Sequence, residues 1–268
     1  MKNPILRFKF SLPIILILLS ILFINVSWKT NNFTKLIPTS GNTDTMANTK
    51  ISKAIVFDNY VSIFYTESKL QNAGLSLPLF QKSMVGYLNL KKQNILNNNK
   101  NILSIIDFTK ESTQKRLWII DVKNQKLLLS SLVAHGEGSG ENMATQFSNT
   151  AESHQSSLGF FVTQSIYFGK HGKSLVLDGL DNGINSLAKS RSIVVHGAEY
   201  VSEEFIKLHG RLGRSYGCPA VPEALKSQII DLIKDKTMLY INGTRIYSSK
   251  HLNSNIAYNN LQSLFKTI

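Results

Sequence analysis

The 268-residue chain has a single cysteine, Cys218. One thiol excludes an internal disulfide framework and any zinc site built from several cysteines. A His-Glu-x-x-His helix is also missing, so a zinc hydrolase has no support and no metal is expected. Acid is scarce: 17 Asp and Glu stand against 30 Lys and Arg, a formal charge of +13. Any non-specific partner is therefore anionic: wall polymer, membrane surface or nucleic acid. No nucleic-acid reader motif occurs, and nucleic acid is not an expected partner. No internal repeat is present. The chain does hold 43% hydrophobic residues, two tryptophans and nine tyrosines, enough to fold around a substantial core.

The one long apolar run lies at the N-terminus. Lys2, Arg7 and Lys9 precede residues 10–28, where only Ser11, Pro13, Ser20, Asn25 and Ser27 interrupt the hydrophobic character. A basic flank followed by such a run is an export segment, either a signal peptide or a membrane anchor over residues 1–28. Its length falls between a long signal core and the roughly 20 residues that span a bilayer, and no Ala-x-Ala site follows, so both forms stay open. The expected location is the periplasm or cell envelope, with inner-membrane anchoring as one form. Residues 29–50 are polar, rich in Asn, Thr and Ser, and read as a linker.

Over residues 51–101 apolar side chains recur at helical spacing, as in Val56, Tyr60, Ile63 and Phe64, then Leu79, Met84, Val85 and Leu88. This predicts two helices joined near Asn72, Gly74 and Pro78, forming a small helical cap. From residue 102 the pattern changes to short β-type runs at 102–108, 117–122, 127–133, 160–163, 174–177, 193–195, 238–241 and 245–247. Residues 102–248 thus read as a mostly β domain, a sandwich or barrel, and the chain overall as α+β. One late helix fits after Pro222, with Leu225, Ile229, Leu232 and Ile233 on one face. Asn242-Gly243-Thr244 reads as a hairpin turn before 245–247. Residues 249–268 form a polar C-terminal tail.

The chemistry concentrates in two segments. The β-branched run Ile193, Val194, Val195 reads as a buried strand that ends at His196 and Gly197, where a histidine suits proton transfer. One loop later comes Arg214, Ser215, Tyr216, Gly217 and Cys218, with Gly217 giving the backbone freedom to expose the next sulfur and amide. Thiol chemistry needs thiolate, and a free cysteine ionises near pKa ~8.5. A nearby imidazolium, cationic arginines or a helix N-terminus lowers that value, and His196, Arg211, Arg214 and the helix near Pro222 are candidates for all three. The amides of Tyr216, Gly217 and Cys218 are candidate oxyanion donors for acyl transfer.

The stretch His196-Gly197-Ala198 through Arg211-Leu212-Gly213-Arg214-Ser215-Tyr216-Gly217-Cys218-Pro219 resembles the active-site signature of the murein L,D-transpeptidase catalytic domain, in its YkuD-like branch. That signature is a histidine followed, after a loop, by Ser/Thr-x-Gly-Cys. The resemblance extends upstream through Ala134-His135-Gly136, Gly138-Ser139-Gly140, Ser156-Ser157-Leu158-Gly159 and Gly169-Lys170-His171-Gly172, and covers roughly residues 102–241. It implies a β-sandwich-like catalytic domain, acyl transfer without metal or organic cofactor, and peptidoglycan stem peptides as partner and substrate. Cys218 would be the nucleophile and His196 its base, with Gly217 and Tyr216 the other catalytic candidates, Tyr216 as a residue that lines the cleft or orients the site. Arg214, Arg211, Ser215, Gly197 and His171 are the candidate substrate contacts. The chain departs from the commonest form of the signature twice: Tyr216 replaces a second histidine, and Pro219, Ala220 and Val221 occupy the place where an arginine usually follows.

His135 and His171 stand beside glycines at expected strand ends, and either is a candidate for lining the cleft. His154, His209 and His251 read as surface or structural residues, and Asp178, Asp181 and Glu199 as loop carboxylates. The residues leave two alternatives to cross-linking: an L,D-carboxypeptidase or related hydrolase using the same thioester, and a non-catalytic wall-binding module.

Overall fold

The computed structural model describes residues 46–265, with side chains described from 53 to 261. The N-terminal export segment and nearly all of the expected linker lie outside these residues. No described helix is long and apolar enough to cross a membrane.

Both expected helices form: α1 is Met46–Glu67 and α2 is Leu77–Lys92. Pro78 sits in the first turn of α2, where a missing N–H costs no helical hydrogen bond. Phe57, Tyr60, Val61 and Phe64 of α1 recur every three or four residues and are buried with Phe80, Met84 and Leu88 of α2. The Phe64 and Phe80 rings meet edge-on at 5.0 Å.

Eight strands follow: β1 Ile102–Asp107, β2 Leu117–Asp121, β3 Lys126–Ser131, β4 Gly159–Gly169, β5 Gly172–Gly179, β6 Val194–Ala198, β7 Ala220–Pro222 and β8 Met238–Asn242. They form one sheet in the order β3-β2-β1-β8-β4-β5-β6-β7. The β1/β8 and β6/β7 pairs are parallel, and the other neighbours are antiparallel.

Strand alternation sorts the side chains into two cores. Leu103, Ile105, Trp118, Ile120, Phe160, Val162, Met238 and Tyr240 face the helices. Their sequence neighbours Ile102, Ile106, Leu117, Ile119, Phe161, Leu239 and Ile241 pack with Leu175, Val195 and Ile229 on the other side. Since both faces are covered, β1 is buried at every position.

Beyond β3 the chain turns back to β7 through an antiparallel bridge, Ala134 to Ala220, and a parallel one, Gly136 to Ser215. These contacts nearly close the sheet into a barrel, and they bring residues 134–136 against the cysteine segment. The fold is mostly β and barrel-like, α+β overall with its N-terminal helices.

Three further helices complete the described chain: α3 Glu203–His209, α4 Lys226–Ile233 and α5 Ser254–Phe265. Pro222 closes β7 rather than opening the late helix, and a 3-10 turn, Glu223–Leu225, leads into α4. Residues 245–247 form no strand, and Asn242-Gly243-Thr244 makes no hairpin. The reason is topological: β8 already pairs with β1 on one side and β4 on the other, so it has no free edge. The polar C-terminal segment carries α5, whose Ala257 and Leu261 are buried in the helical core. There Asn89 of α2 donates to the carbonyls of His251 and Asn253 at 2.7 and 3.0 Å.

Candidate active site

The strand carrying His196 runs further than its β-branched residues suggest. It continues to Ala198 because β7 pairs with it in parallel, His196 opposite Ala220 and Gly197 opposite Val221. His196 is therefore held within a strand, only 3% exposed. Its Nδ1 lies 2.9 Å from the carbonyl oxygen of Gly197. A carbonyl only accepts, so Nδ1 carries the proton and Nε2 keeps its lone pair. Burial pushes the His196 pKa down, and His171 and Lys226 add to this, while the Gly197 carbonyl and Glu223 oppose it. The side chain is thus held as a neutral imidazole, and among the described residues Nε2 has no hydrogen-bond partner.

Cys218 is half-buried and packs against the barrel core. Its Sγ accepts from the Val194 amide at 3.4 Å and faces the Ser192 carbonyl at 3.7 Å. The sulfur is thereby fixed against β6, beside the residue two positions before His196. Burial raises the Cys218 pKa, while the Val194 amide and the charge of Arg191 pull it back. A resting thiol, donating toward Ser192, fits this balance.

Ser215 shapes the turn that delivers the sulfur. Its Oγ donates to the Cys218 carbonyl at 2.5 Å and accepts from the Gly217 amide at 3.1 Å. Its backbone is tied to the 135–137 segment, from Ser215 N to His135 O at 3.0 Å and from Glu137 N to Ser215 O at 2.7 Å. Gly217 has φ +114, and a Cβ there would sit 2.8 Å from the Gln155 carbonyl oxygen. Conformation and space both demand glycine at this position.

The three candidate oxyanion amides separate. Gly217 N–H is taken by Ser215. Among the described residues, the Tyr216 and Cys218 amides have no protein acceptor.

The remaining candidates spread around this centre. Tyr216 is 71% exposed and stacks on His154, with centroids 4.3 Å apart, and His154 Nδ1 lies 2.8 Å from Glu137 Oε1. Arg211 and Arg214 both reach Glu141, at 2.9 and 2.6 Å. His171, from the turn between β4 and β5, stacks on His196 with centroids 4.4 Å apart. Lys226 pairs with Glu223 beside these rings and points Nζ at the His171 carbonyl, 3.4 Å away. Gly197 is buried next to the Glu223 and Lys226 side chains.

His135 is held away from proton transfer. Arg116 Nη2 donates to its Nδ1 at 2.8 Å, so Nε2 carries the proton and faces Gly140 O at 3.3 Å. Burial and the Arg116 charge lower its pKa to about 4. Asp181 is likewise structural, accepting from Phe160 N and pairing with Ser249 Oγ. Among the described residues no group of three or more His, Cys, Asp or Glu side chains could hold a metal.

One residue beside the sulfur escapes sequence reasoning. Arg191 precedes β6 and acts electrostatically on Cys218, whereas the arginines flanking the cysteine in sequence are occupied by Glu141. Neither spacing nor composition singles it out, because its contacts come from a distant loop.

The sheet is mixed and nearly closed, and it presents the chain's one cysteine beside the strand that carries His196. The chain belongs to the L,D-transpeptidase catalytic domain family, which it matches over residues 71–242. No curated protein matches it. Solved structures similar to it include an L,D-transpeptidase from Xylanimonas cellulosilytica DSM 15894, at 15% identity and TM-score 0.31, covering 53% of this chain and 60% of that one. Another is an L,D-transpeptidase from Mycobacterium smegmatis, at 10% identity and TM-score 0.34, covering 53% and 59%. A third is the helical cell shape determining protein Pgp2 from Campylobacter jejuni, at 12% identity and TM-score 0.34, covering 65% and 62%. The chain spans about three-fifths of the length of each.

Proposed function

We propose that the protein is a murein L,D-transpeptidase that carries a tetrapeptide stem as a thioester on Cys218 and passes it to an amine acceptor. The observation that carries this reading is the hydrogen bond from Val194 N to Cys218 Sγ. It seats the chain's only thiol against the strand whose His196 keeps a free, neutral nitrogen.

The first half-reaction begins as the S–H swings from Ser192 O to His196 Nε2, which takes the proton. The thiolate attacks the carbonyl carbon that joins a diamino acid to the terminal D-alanine. A tetrahedral oxyanion forms, and the unoccupied Cys218 and Tyr216 amides are suited to receive it. The C–N bond then breaks, the imidazolium returns its proton to the leaving amine, and D-alanine departs. In the second half-reaction an amine from another stem attacks the thioester, His196 accepts its proton, and the sulfur leaves to be reprotonated. The acyl transfer needs neither metal nor organic cofactor.

The surrounding residues take supporting roles in this scheme. Arg211 and Arg214 meet stem carboxylates by exchanging Glu141 for substrate, a task suited to the guanidinium fork. Tyr216 offers an exposed ring beside the sulfur, Ser215 holds the turn, and Gly197 and His171 border the base. The export segment, as signal peptide or membrane anchor, places residues 102–248 outside the cytoplasmic membrane with residues 51–101 as their helical cap. The surplus of 30 basic over 17 acidic residues favours anionic wall polymer there.

The test is intact mass spectrometry of the full-length protein after incubation with a disaccharide-tetrapeptide, beside Cys218→Ala and His196→Ala. The expected result is an acyl adduct on Cys218 and cross-linked dimers, both absent from Cys218→Ala. Trimmed monomers without dimers would reassign the protein as an L,D-carboxypeptidase. Full cross-linking by Cys218→Ala would sink the mechanism, and a lack of adduct and product in the wild type would favour a wall-binding module.

A further inference from the structure

Three arginines approach the cysteine segment, and they differ in what neutralises them. Arg211 and Arg214 share Glu141. Arg191 is held only by neutral acceptors: Nη1 donates to Ser148 O at 2.8 Å and Ser157 Oγ at 2.6 Å, Nη2 to Gln155 O at 2.8 Å and Ser153 Oγ at 3.3 Å. Among the described residues no carboxylate pairs with it. The fork is clamped while its full charge remains.

The clamping loop, residues 148–157, also touches the cysteine turn. Ser156 Oγ donates to Gly217 O at 3.3 Å. Around the Cβ position of Gly217, the Gln155 carbonyl oxygen lies at 2.8 Å and Arg191 Nη2 at 3.4 Å. From the other direction, Ser192 and Val194 present a carbonyl and an amide to Sγ. One short segment, 191–194, thus brings three polar groups to the sulfur's surroundings, and Arg191 supplies the only positive charge among them.

We infer that Arg191 is a positioning residue for acyl transfer: clamped behind Gly217 by the 148–157 loop, its unneutralised guanidinium stabilises the Cys218 thiolate. The inference rests on the reading of Cys218 as nucleophile. Burial raises the Cys218 pKa and lowers that of Arg191, and the attraction between the two groups opposes both shifts. An opposite charge at close range favours the ionised form of a thiol, and a rigid planar fork loses little freedom in providing it. His196 removes a proton; Arg191 makes the resulting charge tolerable in a half-buried place.

The test is the pH dependence of Cys218 alkylation by iodoacetamide in the full-length protein, with tetrapeptide kinetics alongside. In Arg191→Gln the alkylation midpoint should rise by about one pH unit, leaving roughly tenfold less thiolate near neutral pH. kcat should fall by a similar factor with KM little changed. Arg191→Lys, which keeps the charge, should recover at least half of that shift. A midpoint in Arg191→Gln within about 0.2 pH units of the wild type, well inside the range a close charge commands, would mean that Arg191 only braces the loop, and the inference would be wrong. If Arg191→Gln does not fold, Ser157→Ala loosens the fork without removing its charge; a smaller rise supports the inference and an unchanged midpoint overturns it. The two readings fail separately: activity in Cys218→Ala removes the nucleophile whatever Arg191 does, whereas an inactive Cys218→Ala with an unshifted Arg191→Gln removes only the role of Arg191.

Discussion

The imidazole of His171 lies on that of His196, with ring centroids 4.4 Å apart and planes inclined by 29°. His171 reaches there from the tight turn between β4 and β5, and His196 sits inside β6. Two imidazoles in contact disfavour a second positive charge, and this adds to burial in keeping His196 neutral. In the proposed reaction, such a neutral imidazole remains able to take the thiol proton into mildly acidic conditions.

Replacing His171 by Ala should therefore raise the pKa of His196, since the ring both shields it and repels its proton. Below that pKa the base is protonated, so the acidic limb of kcat/KM should move to higher pH, by about half a unit. A pH–rate profile of tetrapeptide consumption checks this. An unmoved limb would mean that the stack is packing alone.

His135 predicts a pH dependence of stability. Its folded pKa is about 4 against 6.5 ordinarily, so the unfolded chain binds the proton more readily. Stability should be full above pH 6.5 and decline as pH falls toward 4. The difference is worth up to about 3 kcal/mol. Denaturant melts from pH 7 to 4 test it, and His135→Gln should flatten the slope over this window.

Ser215 joins two backbone groups of the cysteine turn through one hydroxyl. Ser215→Ala leaves the buried Gly217 amide without its acceptor, at a cost of about 1–3 kcal/mol. Thermal melts should show the loss, and acyl-adduct formation should slow because the sulfur is less firmly placed. Ser215→Thr keeps the hydroxyl and should restore most of both.

Glu141 separates two roles for its arginines. Glu141 is itself largely exposed, so Glu141→Ala should change stability by less than about 1 kcal/mol. If Arg211 and Arg214 receive a stem carboxylate, freeing them should lower KM several-fold, while Arg214→Ala should raise it. Unchanged KM in both variants would leave these arginines as structural links to the 140–141 loop.

Much of the architecture was legible along the chain. Helical spacing in 51–90 and two-residue alternation in runs such as 102–106 and 117–120 arise from neighbours a few positions apart, so they survive in the sequence. The β-branched run before His196 and the glycine turn before Cys218 were legible for the same reason, since both are local features, whereas the strand's continuation past His196 to Ala198 was not.

The sequence by itself determined which residue types could carry the chemistry: one thiol, a histidine at a β-branched strand, and a glycine able to turn between them. Tertiary structure alone decided which groups surround the sulfur. The β6/β7 pairing extends the strand past His196, the Ala134–Ala220 bridge closes the sheet, and β8, already paired on both edges, denies residues 245–247 a strand. Arg191 meets the cysteine turn through acceptors at 148–157, while Glu141 takes the two arginines that chain proximity favoured. Charges and hydrogen-bond acceptors carry no periodicity, so their partners are set only when the closed sheet brings distant loops within a few ångströms.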